Sequence, residues 1–241
     1  MPPSGPGSAR LASVESLLRD LGPRLRRAES PLEAPRRWPT GLAELDRLLG
    51  GGFPAGRIGE IAGPASSGRT SLLLRLLAAT TAGGESVALV DGADAFDPAS
   101  ASGAGVDLAR TLWARPPAPA EALRAAEILL RAGGFALVTL DLTARIPRRP
   151  AAARIPWRPP TAHWLRLVRA AAASRTALVV LTSNARLVGA CADLALELHP
   201  LRPRFRGTPA LLDGAEVEAA LVRHRGGPEG AVRLRLHPAP P

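Results

Sequence analysis

Apolar positions in this chain follow two periods. Leu11, Val14, Leu17, Leu18, Leu21 and Leu25 recur at helical spacing, with Glu15, Arg19, Asp20, Arg24 and Arg26 elsewhere on the wheel. That pattern predicts one amphipathic helix over 11–27, able to pack on a core or to dock on a partner. The runs Ile58–Ala62, Val87–Asp91, Phe135–Asp141, Thr176–Thr182 and Ala192–His199 are nearly continuous and predict strands, most of them buried on both faces. Helical segments are predicted between them: a short one from Thr40, stopped by Gly50-Gly51-Gly52-Phe53-Pro54, then 70–79, 120–132 and 162–173. Val106–Leu112 reads as a short helix passing into a strand. Near the end, Val232, Leu234 and Leu236 alternate with Arg233 and Arg235, so 216–223 and 231–237 predict a hairpin across Gly226–Gly230. Strand and helix alternating through the middle predict an α/β fold: a three-layer core with a mostly parallel central sheet, an N-terminal helix and a C-terminal β-hairpin. Ligands belong at the carboxyl ends of its strands. The expected organisation is a disordered start (1–8), a helix and proline-rich linker (9–39), the core (40–200) and a basic hairpin and tail (201–241).

Composition narrows this picture. The 241 residues allow one sizeable core, and 46% hydrophobic content excludes a disordered chain. The net charge of +10 points to nucleic acid, acidic proteins or phosphates, and with no lysine in the chain all 31 basic residues are arginine. A single cysteine, Cys191, rules out an internal disulfide and sits in an apolar run, as a core residue would. No stretch is long and apolar enough for a membrane span, and the N-terminus lacks a secretory pattern, so a cytoplasmic protein is expected. His163, His199, His224 and His237 have no metal-ligand spacing, and no metal site is expected.

The candidate chemistry lies in Gly63-Pro-Ala-Ser66-Ser67-Gly68-Arg69-Thr70, between a predicted strand and a predicted helix. Its spacing is that of a phosphate-binding loop, G-x-x-x-x-G-K-[ST]. In such loops backbone N–H groups cradle the phosphates, lysine reaches the β/γ-phosphates and the hydroxyl holds Mg²⁺. Here Arg69 occupies the lysine position, and the two cations are not interchangeable at tight sites. The loop is either a relic that shapes the fold or a weak phosphate site with Arg69 as a modified clamp. Asp91, Asp97 and Asp141 read as strand-end or helix-cap acids. Two arginine groups are candidate DNA or partner contacts. One is Arg145, Arg148, Arg149, Arg154 and Arg158 around Trp157, where guanidinium and indole can grip phosphates and stack a base. The other is Arg202, Arg204 and Arg206, spaced by two along an extended strand, where they could equally protect an edge.

Several segments in order carry a family resemblance: Thr40-Gly-Leu-x-x-Leu-Asp, Gly50-Gly-Gly-Phe-Pro-x-Gly-Arg-Ile-x-Glu-Ile, the glycine loop, Val90-Asp91 through Asp97-Pro98, Gly105-Val106-Asp107 and Leu140-Asp141. Over about 38–200 the chain resembles the RecA recombinase core. The resemblance implies a lysine at Arg69, a water-activating acid at Ala93, an adenine-stacking tyrosine at Ser100 and a γ-phosphate-sensing glutamine at Ser183. The second DNA loop is reduced to about 184–189. Retained are the glycine loop, Thr70 and Asp141, which suit Mg²⁺. Without lysine and catalytic acid the chain is expected not to be an enzyme, to require no cofactor, and to bind ATP and Mg²⁺ weakly at most.

The profile is similar to the ImuA family, RecA-like accessory proteins of bacterial mutagenesis cassettes. That resemblance implies a nucleoid-associated role in the SOS response and translesion synthesis. It implies RecA and an ImuB-like polymerase homologue as partners, DNA as a further one, and inhibition of RecA. The helix at 11–27 is then the natural docking element. A weak DNA-dependent ATPase and a simple DNA-binding factor are the alternatives.

Overall fold

The computed structural model describes residues 35–143, 158–183 and 186–237. The expected helix over 11–27 and most of the arginine segment 145–158 lie outside these residues; Arg158 is described and exposed.

The elements in chain order are β1 (Arg37–Trp38), α1 (Ala43–Leu48), β2 (Phe53–Pro54), β3 (Ile58–Ala62), α2 (Arg69–Ala82), β4 (Val87–Asp91), α3 (Pro98–Gly103), β5 (Thr111–Ala114), α4 (Pro119–Ala132), β6 (Leu137–Asp141), α5 (Thr161–Ser174), β7 (Ala177–Thr182), β8 (Leu194–Arg206), β9 (Leu211–His224) and β10 (Gly230–Leu236). Short 3₁₀ turns cover Leu108–Arg110 and Gly189–Cys191. Eight strands form one sheet in the order β10-β9-β8-β3-β7-β6-β4-β5. From β8 to β5 neighbouring strands are parallel, and β9 and β10 add antiparallel at the other side. The α/β class and mostly parallel sheet match the expectation.

The continuous apolar runs have a direct physical cause. Successive side chains of a strand point to opposite faces, and here both faces are covered. In β4, Val87 and Leu89 join the core beneath α1 and α2, whereas Ala88 and Val90 join the core beneath α4 and α5. In β7 the same division separates Val179 and Leu181 from Leu178 and Val180. The β8–β10 part has one buried face, that of Leu198, Val217, Leu234 and Leu236. Its other face carries Glu216, Glu218, Arg233 and Arg235, the alternation of an antiparallel sheet with one wet side.

Two expected boundaries shift. The end of the proline-rich linker is a strand: Arg37 and Trp38 pair with Pro54 and Phe53, and Trp38 is buried. Burying the indole and pairing the backbone outweigh the local proline signal. The boundary expected at 200 falls inside β8, which continues to Arg206 because β9 pairs with it along its length. The C-terminal hairpin is therefore part of the central sheet. Among the described residues no helix is long and apolar enough to cross a membrane.

Candidate functional site

The carboxyl ends of β3, β4, β6 and β7 come together because the strands are parallel and in register: Ala62 lies beside Thr182, and Asp91 beside Asp141. The glycine loop leaves β3 at Gly63 and enters α2 at Arg69. Gly68, the N-cap of α2, adopts φ 88° and ψ 6°, and Ser66 also has positive φ at 60°. A Cβ at Gly68 would stand 2.4 Å from Leu236 Cδ1, so β10 is packed against the loop. Gly63 is crowded as well, since a Cβ there would stand 2.6 Å from Ser67 Oγ and 2.7 Å from the Leu198 carbonyl. Ser67 is buried, and its Oγ has no hydrogen-bond partner among the described residues. With no capping side chain, the N-terminus of a fourteen-residue helix faces the loop, the arrangement that favours an anion.

Arg69 turns towards β7. Its Nη1 donates to the Thr182 carbonyl at 2.5 Å and lies 3.5 Å from Ser183 Oγ. The Thr182 carbonyl also accepts from Gly63 N at 3.3 Å. Partial burial holds the Arg69 pKa below the usual guanidinium value, and Asp141 acts against that shift. Asp141 is itself raised above the ordinary carboxylate range by burial, against the pull of hydrogen bonds from Thr143 and the charge of Arg69. Thr143 N donates to Asp141 at 2.8 Å.

The acids have structural employment. Asp91 accepts from Ala95 N and Phe96 N, each at 3.0 Å, and from Trp113 Nε1 at 3.3 Å. Asp97 caps α3, accepting from Ser100 Oγ at 2.5 Å and from Ser100 N at 2.9 Å, and these bonds hold its pKa low. Ala93 places a buried methyl two residues past Asp91. Thr70, Asp91, Phe96, Ser100 and Asp141 share a cleft of about 140 Å³, below the roughly 300–1,000 Å³ usual for ligand pockets.

Glu60 stands in the family motif 50–61, but the sequence assigns it no role. It is buried in β3, and its Oε1 accepts from Thr182 Oγ1 (3.2 Å), Leu187 N (2.8 Å) and Val188 N (3.4 Å). Oε2 has no partner among the described residues. Burial, the largest cause, lifts its pKa above the ordinary range. Thr182 thus joins Arg69 through its carbonyl and Glu60 through its hydroxyl, linking the glycine loop to the segment that follows β7. The available signal was a lone acid inside an otherwise apolar strand.

The structure does not bring Arg202, Arg204 and Arg206 into this cluster. They lie on β8, where Arg202 and Arg204 meet Glu216 at 2.9 and 3.0 Å, and Arg206 meets Asp213 at 3.7 Å. Hydrogen bonds from Arg202, then from Arg204, hold the Glu216 pKa low. The positive charge of this stripe, read as a DNA or partner contact or as protection of an edge, is partly neutralised within its own hairpin. Among the described residues no group of three or more His, Cys, Asp or Glu side chains converges as a metal site would require.

Comparison with known proteins places this geometry. A family model described as the RecA N-terminal domain matches residues 27–153. Protein RecA of Streptomyces avermitilis is 38% identical over 142 residues, covering 58% of this chain and 37% of that protein. Protein RecA of Picosynechococcus sp. is 40% identical over 111 residues, covering 46% of this chain and 32% of the relative. The chain thus spans about a third of the length of these curated relatives. Among solved structures, the crystal structure of the RadB recombinase superposes with a TM-score of 0.62 at 25% identity, covering 82% of this chain and 95% of that one.

Proposed function

The chain belongs to the family of the RecA N-terminal domain, and from that premise we propose that it is a RecA-like accessory protein without ATPase activity of its own, of the ImuA type. It acts in the DNA damage response and in translesion mutagenesis. It binds RecA, restrains the RecA filament with its ATPase and strand exchange, and contacts a Y-family-like polymerase homologue. Contact with DNA is assigned to the arginines of 145–158.

The contact between Arg69 and the Thr182 carbonyl carries this reading. Phosphoryl transfer depends on a cation held against the transferring phosphate and on a positioned water. The cation at position 69 is spent on a backbone carbonyl, and Ala93 supplies a methyl where a carboxylate is needed. A phosphate suits the backbone of the loop. A nucleotide with Mg²⁺ finds few partners: Ser100 offers no ring for a base, and Asp91 is occupied by three donors. Thr70 and Asp141 are the residues that would meet Mg²⁺. A protomer of this kind, joined to a RecA filament, could not complete ATP turnover at its interface.

The test is RecA's DNA-dependent ATPase and strand exchange with equimolar protein added. Both are expected to fall, and unchanged rates would overturn the proposal.

A further inference from the structure

Strands β8 and β9 outgrow the sheet. β3 accompanies β8 only as far as Glu197, and β10 accompanies β9 only to Ala215. Past Pro203 and Ala215 the two strands pair with each other alone, Arg204 with Gly214, Phe205 with Leu212 and Arg206 with Leu211, as a short two-stranded ribbon. The ribbon has two unlike faces. Leu198 and Val217 lie in the core beneath α2, and Ala215 packs against that core. A bulge between Pro200 and Arg202 brings Pro203, opposite Ala215, onto the same face, which continues to Phe205, opposite Leu212. A bulge between Arg204 and Phe205 brings Leu212 into that place. Here α2 no longer covers the face, and Phe205 is 61% and Leu212 55% exposed. The opposite face carries Arg202 and Arg204, both held by Glu216.

We propose that this ribbon is a docking arm for an acidic protein surface bearing an apolar socket. Phe205 and Leu212 are its anchors, and Arg202, Arg204 and Arg206 form its charged rim. Three features select this occupant. Nucleic acid is gripped mainly through phosphates by several available cations, whereas here Arg202 and Arg204 share Glu216, which leaves a small net positive charge, and three apolar side chains, Phe205, Leu211 and Leu212, stand more than half exposed at the tip. A second copy would set one basic arm against another in a chain of net charge +10, and like charges oppose such contact. Strand addition along β8 is opposed by Pro200 and Pro203, which offer no N–H to an incoming strand. What remains is contact through the apolar face, flanked by guanidinium groups that Glu216 has already ordered. An aromatic anchor with arginine beside it is the composition that dominates protein interfaces.

The geometry of the ribbon stands without the RecA-regulator reading, which supplies one of the probes. The full chain is compared with the double variant Phe205→Ser/Leu212→Ser and with Arg202→Gln/Arg204→Gln. The first probe is bis-ANS, an aromatic dye with two sulfonates that matches an apolar face beside arginines. The second is purified RecA, and the third a fluorescent DNA duplex. With circular dichroism unchanged, the serine variant is expected to lose most of the dye signal. It is also expected to weaken RecA binding about tenfold or more, with DNA affinity unaltered. Dye binding retained by the serine variant overturns the arm, as does DNA affinity lost in the glutamine variant while RecA binding persists. If the unaltered chain does not bind RecA, the regulator reading falls, and the dye result decides the arm independently.

Discussion

The guanidinium of Arg69 is hydrogen-bonded to the backbone carbonyl of Thr182, Nη1 to O at 2.5 Å. The contact ties the start of α2 to the end of β7. Together with Gly63 N on the same carbonyl, it turns the phosphate-loop cation into part of the scaffold. Removing that tie has a definite expected cost. A hydrogen bond from a charged donor at a half-buried site is worth about 1–2 kcal/mol, so Arg69→Ala should lower the thermal midpoint by a few degrees. Calorimetric titration with a non-hydrolysable ATP analogue and Mg²⁺ is expected to give no binding heat in either form. Heat from the unaltered chain that disappears in Arg69→Ala would make Arg69 a working clamp.

Glu60 and Asp141 set a pH dependence. Both carboxyls are raised in the folded chain by burial, so the folded state holds these protons more tightly than the unfolded one. Their contribution is most favourable below the unfolded carboxylate range. It declines as pH rises through that range, and levels off once the folded groups ionise. Glu60→Gln keeps an acceptor for Leu187 N and Val188 N and removes the charge, so its melting temperature should vary less between acidic and neutral pH. Glu60→Ala leaves those donors unpaired and should cost about 2–4 kcal/mol at any pH.

Asp91 predicts a local spectroscopic change. Its carboxylate holds Ala95, Phe96 and the indole of Trp113, which meets Phe96 edge-on at a centroid distance of 5.2 Å. Asp91→Ala should cost about 2–3 kcal/mol by stranding these donors and should shift the Trp113 emission. In a mechanism where Asp91 served only a nucleotide, stability would be unchanged.

Gly68 and Leu236 form a testable pair. Gly68→Ala meets both an unfavourable φ and the Leu236 methyl, with an expected loss of about 1–3 kcal/mol. Leu236→Ala should cost about 2–4 kcal/mol through the cavity it leaves. If the close approach is the main cost, the double variant is less destabilised than the sum, by an amount that denaturant titration of the four proteins resolves.

The sheet was readable in sequence where burial on two faces removes polar residues, as in Val87–Asp91 and Thr176–Thr182. The long arm of β8 was not. Arg202, Arg204 and Arg206 at period two suggest an extended segment, but Pro200 and Pro203 argue locally against its continuing the run Ala192–His199, and pairing with β9, with Glu216 as counter-charge, sustains it. The glycine loop was recognisable by spacing, since its turns need glycine at fixed places. The direction of Arg69 was not, because a side chain's choice between a phosphate and a carbonyl is made by neighbours far away in the chain. Glu60 was passed over for the same reason: its partners belong to β7 and the segment after it.

Strand β3, the first of the large sheet in sequence, borders only β7 and β8, with Ile58 beside Leu178 and Gly59 beside Leu194. It has no early partner. Closing such long loops precedes any gain from the contacts they make, and folds rich in distant pairings form slowly. A nascent chain that has exposed β3, the glycine loop and α2 therefore still lacks both neighbours of β3. These elements mature together, late, and a fragment ending before β7 cannot report on the loop's native conformation.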